Sequence, residues 1–449
     1  MAEISLSDIL LARDERVRLQ AEIITRFSCP IISFTMNIAG PIKNSAVILR
    51  AFLLGLAYLD QTVDSDKIIY RHISTESATG PLAIYAVNSS ADELKRICVK
   101  AEEKTALGRL FDMDIIDTDM RKLTRARERG CIVCGAPGRA CAAGRIHPVS
   151  EIVAKMNSIM SDALFKNDTE QIARLAKESL IAEVKTTPKP GLVDLRNCGS
   201  HKDMTPATFE KSADALFDFF KRSIAIGQNT KNLSHELTFN DLRKAGISAE
   251  EQMLNATSGV NTHKGAIFSF GILCGSIGRL WSPEKPIASI DLILAEAAEI
   301  AKTAIRSDLT TPRENTAGVR MYMKTGATGI RGEAASGFES VKSNSLPIYR
   351  ELIASGLSKN DAGAVALLHL IASVDDTAIY NRGGCKGLDF AKRYAKDILD
   401  RKKIPQITEI EEMDDIFIQK NLSAGGSADL LAITYFLYEI SELSASMNQ

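Results

Sequence analysis

Apolar and polar positions change rhythm about a third of the way along the 449-residue chain. Residues 8–26 set Ile9, Leu10, Val17, Leu19, Ile23 and Ile24 against Arg13, Asp14, Glu15, Arg16 and Arg18, which predicts an amphipathic helix. Residues 29–38 read as a strand, stopped by Ala39-Gly40-Pro41. A helix is expected over 45–59. Strands over 81–87 and 110–116 flank a helix beginning near Ser90-Ala91-Asp92, where Ser or Asp suits the N-cap. Beyond about residue 150 strand signals nearly vanish. Helical periodicity covers 151–182, 207–226, 248–256, 285–306, 346–356, 359–375, 387–401 and 426–445, separated by short Gly-, Asn- and Asp-rich segments. This predicts a mixed α/β domain over 1–165 followed by a larger all-α domain over 170–449. The boundary falls where Lys166-Asn167-Asp168-Thr169 interrupts two helical patterns.

The length itself calls for two or three domains, because single cores stop growing below this size. Lys plus Arg (55) balance Asp plus Glu (56), which gives no electrostatic footing for nucleic acid or an acidic membrane surface. The opening MAEISLSDILLARDER holds Glu3 and Asp8 and no apolar core of signal-peptide length. The longest uncharged run, between Lys264 and Arg279, is too short to span a bilayer and is broken by Gly265, Gly271, Gly275 and Gly278. Eight cysteines over this length are no secreted disulfide framework. The expectation is a reduced, cytoplasmic protein that binds neither membrane nor nucleic acid.

Two segments of the first part carry chemistry. Cys131, Cys134, Cys141 and His147 form a C-x2-C-x6-C-x5-H array within seventeen residues, suited to tetrahedral zinc, with Gly135-Ala136-Pro137-Gly138 as the turn. The alternatives are small buried residues beside a chance histidine, or a redox pair lacking a thioredoxin-like context. On the predicted strand Asp112 and Asp114 share a face, where a divalent metal carrying a triphosphate would offset their charge. The alternative is an edge strand with a solvated acidic face.

Residues 35–43 (Thr-Met-Asn-Ile-Ala-Gly-Pro-Ile-Lys), Gly108–Asp114 and the Cys/His array resemble the apo-citrate lyase phosphoribosyl-dephospho-CoA transferase family over most of 8–150. In that family a serine of the apo acyl carrier protein, the gamma subunit of citrate lyase, displaces pyrophosphate from a triphosphoribosyl group. The resemblance implies metal work for Asp112 and Asp114, and phosphate contact for Lys43 and Arg109.

Four clusters mark the second part. They are Glu183 with 187–194 (Thr-Pro-Lys-Pro-Gly-Leu-Val-Asp), followed by Asn197, His201 and Asp203; 259–266 (Gly-Val-Asn-Thr-His-Lys-Gly-Ala); 328–337 around Arg331 and Glu333; and Asn381-Arg382-Gly383-Gly384 with 421–429. Each alone reads as helix caps and turns. Together, glycines that admit close backbone approach and the cations Lys264, Arg331 and Arg382 favour a nucleotide site, although none is a Walker A or dinucleotide fingerprint.

The four segments resemble the triphosphoribosyl-dephospho-CoA synthase family from about 175 to the C-terminus. That family joins the ATP ribose C1 to the 2'-hydroxyl of 3'-dephospho-CoA and expels adenine. The candidate ATP and phosphate contacts are Lys189, Asn261, His263, Lys264, Arg331, Arg382, Gly383, Gly384, Gly425, Gly426 and Ser427. Glu183, Asp194, Asp203 and Glu333 are the candidates for acid and base, and Asp375, Asp376 and Asp429 for Mg²⁺. Two departures stand out: Asp376-Thr377-Ala378 where the family usually has Asp-Thr-Asn, and Ala424 where it has Pro. Rival readings are a metal-dependent ADP-ribosyl or N-glycosyl hydrolase, the malonate decarboxylase counterpart of these enzymes, and a zinc-stapled adaptor that binds CoA or carrier protein without reaction.

Overall fold

Ile31–Met36 is an apolar run whose Ile31, Ile32, Ser33 and Phe34 are all buried, so it forms an interior strand, β1. The computed structural model describes residues 4–304, 321–324, 326–401 and 404–447. The chain divides into two compact units, Met1–Asn167 and Asp168–Gln449.

In the first unit β1 pairs antiparallel with β3 (Leu82–Val87) and β4 (Phe111–Ile116), and β3 with β2 (Ile68–Ser74), in the order β2-β3-β1-β4. One sheet face is covered by α2 (Ala46–Thr62) and α3 (Ala91–Lys104), burying Phe34, Phe52, Tyr85, Leu94 and Met113. The helix α2 comes close because Gly55 has no side chain: a Cβ there would lie 2.5 Å from the Phe34 ring. The other face takes Ile23 and Ile24 of α1 (Leu6–Phe27). Only that end of the predicted apolar stripe is buried; Leu10 and Val17 are about half exposed. The strand β2 was not foreseen, since Arg71 and His72 break its apolar run.

The short α4 (Gly138–Ala143) precedes α5 (Val149–Lys185), which runs unbroken through 166–169. The expected interruption there does not occur. Asp168 is buried in the helix, where its carboxylate accepts the Trp281 indole N–H at 2.8 Å, so a residue type that favours helix ends is satisfied mid-helix.

The second unit is helical. The predicted 207–226 helix is two, α6 (Pro206–Ala215) and α7 (Phe217–Asn229), followed by α8 (His235–Ala256), α9 (Lys264–Leu280) and α10 (Ile290–Ala304). Residues 305 and 306 of the predicted 285–306 helix lie outside the described residues. The glycine-rich helix α9 is a core helix whose glycines let α7 touch it backbone to backbone: a Cβ on Gly278 would lie 2.0 Å from the Ile224 carbonyl oxygen, and one on Gly227 2.0 Å from that of Gly275. Helices Gly329–Ala335, Leu346–Ala354, Lys359–Ser373, Thr377–Arg401, Ile407–Gln419 and Gly425–Met447 complete the unit. Among the described residues no single helix is long and apolar enough to cross a membrane.

Candidate active sites

The strand β4 is an edge strand, and its Asp112 and Asp114 alternate with buried Phe111, Met113 and Ile115, as two-residue spacing requires. They line a cleft of about 660 Å³ together with Arg109, Asn37, Cys131 and the basic segment 125–129. Burial and the neighbouring Asp114 push the Asp112 carboxyl up. Asp114 pairs with Lys122. Arg109 lines the cleft while donating to the Gly130 carbonyl. Lys43 does not line it; its ammonium donates to the Ile38 carbonyl, and burial and Arg13 lower its pKa. Sequence reasoning missed buried Glu102, which accepts the Met113 N–H (2.9 Å) and pairs with Arg125 (2.6 Å) and Arg129. The closely spaced basic residues over 121–129 were the available signal.

Beside this cleft the Cys131, Cys134 and Cys141 Sγ atoms and a His147 ring nitrogen lie within 4.8 Å of one another, so the array can hold a metal ion. The Gly135 turn (φ +77°) folds the chain back, and the Gly135 N–H donates to the Cys131 carbonyl. The Cys134 and Val133 backbone N–H groups lower the Cys131 thiol to about 7. His147 Nδ1 bonds Glu151 at 2.9 Å, while its Nε2 is buried without a hydrogen-bond partner. A carboxylate on one ring nitrogen with the other left unpartnered is how a metal-ligating histidine is held.

In the second unit, segments from Glu183 to Leu430 converge on a cavity of about 620 Å³. Of the predicted residues, Glu183, Lys189, Asn261, His263, Lys264, Arg331, Glu333, Asp375, Asp376, Arg382, Gly425, Gly426 and Asp429 line it. Others do not. Asp194 is buried and accepts four bonds (Thr187 Oγ1, and the N–H groups of Lys189, Arg196 and Asn197), so it ties the Thr-Pro-Lys-Pro-Gly loop together. Asp203 lies near His201, whose pKa burial and Arg382 lower and Asp203 only partly restores. Gly383 packs on Leu422, and Gly384 (φ +61°) kinks the helix Thr377–Arg401. Ser427 serves Asp376, donating from N (2.7 Å) and Oγ (2.9 Å) to Oδ2, while Ala378 and Ile379 N–H groups occupy Oδ1. Four donors commit Asp376 to joining two helix starts.

The remaining charges are arranged unevenly. Lys189 is almost fully buried, with its ammonium on the Glu183 carbonyl (2.7 Å) and carboxylate. Asp429 packs against Gly265, where a Cβ would overlap its carboxylate; burial, then Glu183 and Asp376, push its carboxyl well up. Burial also raises Glu333, against hydrogen bonds from Ser340. His263 accepts or donates at Nδ1 with Ser212 (2.6 Å), and its Nε2 is buried without a partner. Lys264 pairs with Glu250, and Arg382 with Asn421 and the Ser200 carbonyl. Sequence reasoning missed His201 Nε2 bonding Ser423 (2.9 Å) on the cavity wall, a contact between segments 222 residues apart.

The family described as apo-citrate lyase phosphoribosyl-dephospho-CoA transferase matches residues 4–163, and that described as ATP:dephospho-CoA triphosphoribosyl transferase matches residues 169–447. Protein CitXG of Haemophilus influenzae is 36% identical, over 97% of this chain and 96% of the relative. Protein CitXG of Leuconostoc mesenteroides subsp. cremoris is 29% identical, over 97% of each. The 2-(5''-triphosphoribosyl)-3'-dephosphocoenzyme-A synthase of Haemophilus ducreyi is 37% identical over 69% of this chain and 99% of its own length. The chain is a transferase and belongs to the family in which these two citrate lyase prosthetic-group enzymes are fused in one polypeptide.

Proposed function

We propose that the second unit joins ATP to 3'-dephospho-CoA with loss of adenine, and that the first unit transfers the product to a serine of the apo acyl carrier protein, the gamma subunit of citrate lyase, with loss of pyrophosphate. The observation that carries the reading is the convergence of four separate Gly/cation segments on a single cavity in the helical unit. Adenine departure breaks the C1–N9 bond through an oxocarbenium-like state, so the leaving base needs a proton. Glu333 lines the cavity with a carboxyl raised by burial, which suits it to hold that proton. Lys264, Arg331 and Arg382 supply charge to the triphosphate, and Asn261 and the Gly425-Gly426 turn supply close polar backbone.

A Mg²⁺ ion fits this cavity. Burial, then the nearby Glu183 and Asp376, raise the Asp429 carboxyl, and Lys189 is committed to Glu183. Asp429, which lines the cavity with a carboxyl raised by burial, would be its foremost ligand; the ion would neutralise triphosphate charge. In the first unit Asp112 and Asp114 would hold Mg²⁺ for transfer, and Cys131, Cys134, Cys141 and His147 a structural Zn²⁺.

Adenine release measured by chromatography tests the first reaction. It should require both ATP and dephospho-CoA. Release from ATP alone at the same rate would mean hydrolysis, and binding without release would leave only an adaptor.

A further inference from the structure

The transfer cleft of the first unit is lined by seven Lys and Arg side chains against four carboxylates. Two of the arginines are unusually fixed. Arg125 places Nε (3.0 Å) and Nη2 (2.6 Å) on Oε2 of Glu102. Arg129 places Nη2 on Oε1 of the same carboxylate and Nη1 on the Phe111 carbonyl at 2.7 Å. The Glu102 side chain is 2% exposed, and those of Arg125 and Arg129 are 18% and 21% exposed. Exposed Glu103 adds a long contact to Arg125 Nη1 at 3.5 Å, but it does not line the cleft, where cations outnumber carboxylates. The clamp therefore fixes their geometry and leaves a positive charge, partly shielded from water, with Asp112 and Asp114 in the same cleft. Cations held together in this way repel one another until a polyanion arrives. Arginine forks match phosphate oxygens in geometry as well as charge.

We infer that Arg125 and Arg129, positioned by Glu102, bind the diphosphate portion of the triphosphoribosyl substrate and hold it as it leaves. This rests on the transfer reaction assigned above to the first unit. In that step the serine oxygen bonds to the phosphorus next to the ribose. The P–O bond to the second phosphorus breaks, pyrophosphate keeps the bridging oxygen with its electron pair, and the serine proton passes to solvent. A clamp on the departing group stabilises charge where it develops. Glu102 acts through the arginines and is a positioning residue.

The experiment uses the full chain, supplied triphosphoribosyl-dephospho-CoA, apo acyl carrier protein and inorganic pyrophosphate. Arg129→Gln and Arg125→Gln should each raise both the KM for the supplied intermediate and the inhibition constant of pyrophosphate by about ten- to a hundredfold, the loss of one charge-assisted contact. Arg129→Lys, which keeps the charge and loses the fork, should fall between them and the wild type. Pyrophosphate should also slow phenylglyoxal labelling of Arg125 and Arg129 in the unmodified chain, read by peptide mass spectrometry; this arm does not depend on a variant folding. Unchanged pyrophosphate inhibition in folded variants, or labelling indifferent to pyrophosphate while carrier is still loaded, would overturn the clamp. A wild-type chain that protects both arginines yet never loads the carrier would instead remove the transfer reading.

Discussion

His263 shows how a single buried side chain sets the chemistry of the helical unit. Burial, with a smaller push from Lys189, takes its imidazole down to about 3, so it meets a nucleotide as a neutral hydrogen-bonding ring and not as a cation. Its effect on stability has a definite sign. Between about pH 6.5 and 3 the unfolded chain binds a proton that the native ring refuses, so stability is lost as pH falls through that window. At pH 5 the loss from this ring is about 2 kcal/mol relative to pH 7. Asp429 and Glu333, whose carboxyls are raised, pull the other way, so the test is a difference: His263→Gln should flatten the fall seen in the wild type. The single tryptophan, Trp281, lies in this unit, and urea unfolding followed by its fluorescence reads it directly. Equal pH slopes for the two proteins would show that His263 titrates normally. At this scale residue type was legible and residue use was not. Lys264 and Asp194 stand in motifs of the same texture, yet one lines the cavity and the other ties a loop, because only the fold decides which side of a loop meets the ligand.

Among the elements, helix α9 depends on what its glycines leave out. Gly278→Ala places a methyl group against the Ile224 backbone carbonyl, which cannot swing aside as a side chain would, so about 3 kcal/mol or more of the second unit's stability should go. A change below about 0.5 kcal/mol in Trp281-monitored unfolding would show that α7 and α9 do not pack this closely. The Cys/His knuckle makes the matching prediction for the first unit. Purified protein should carry one zinc, and Cys134→Ser should lose it and lower the first unit's melting temperature, leaving the Trp281 transition in place. Metal analysis under reducing conditions without stoichiometric zinc would contradict this. Long periodic helices and buried strands were readable because their apolar spacing matches their burial. The helix Ile407–Gln419 escaped notice because Glu411, Glu412, Asp414 and Asp415 crowd its apolar stripe; Asp414 is itself buried, held by Arg196, Asn197 and the Gly191 N–H. That support lies more than 200 residues away in sequence, where no local pattern reveals it.

The whole molecule combines two chemistries in one chain, a glycosyl transfer in the helical unit and a nucleotidyl transfer on the sheet-bearing unit. The most direct measurement is the intact mass of apo acyl carrier protein after incubation with the full chain, ATP, Mg²⁺ and dephospho-CoA. The carrier should gain one phosphoribosyl-dephospho-CoA group at its serine, with one adenine and one pyrophosphate released per carrier. Asp114→Asn should release adenine normally and leave the carrier unmodified, so that triphosphoribosyl-dephospho-CoA accumulates. A carrier whose mass never changes, although adenine is released and the chain is folded, would contradict the assignment of attachment to this protein. Loading by Asp114→Asn at the wild-type rate would contradict the site proposed for it.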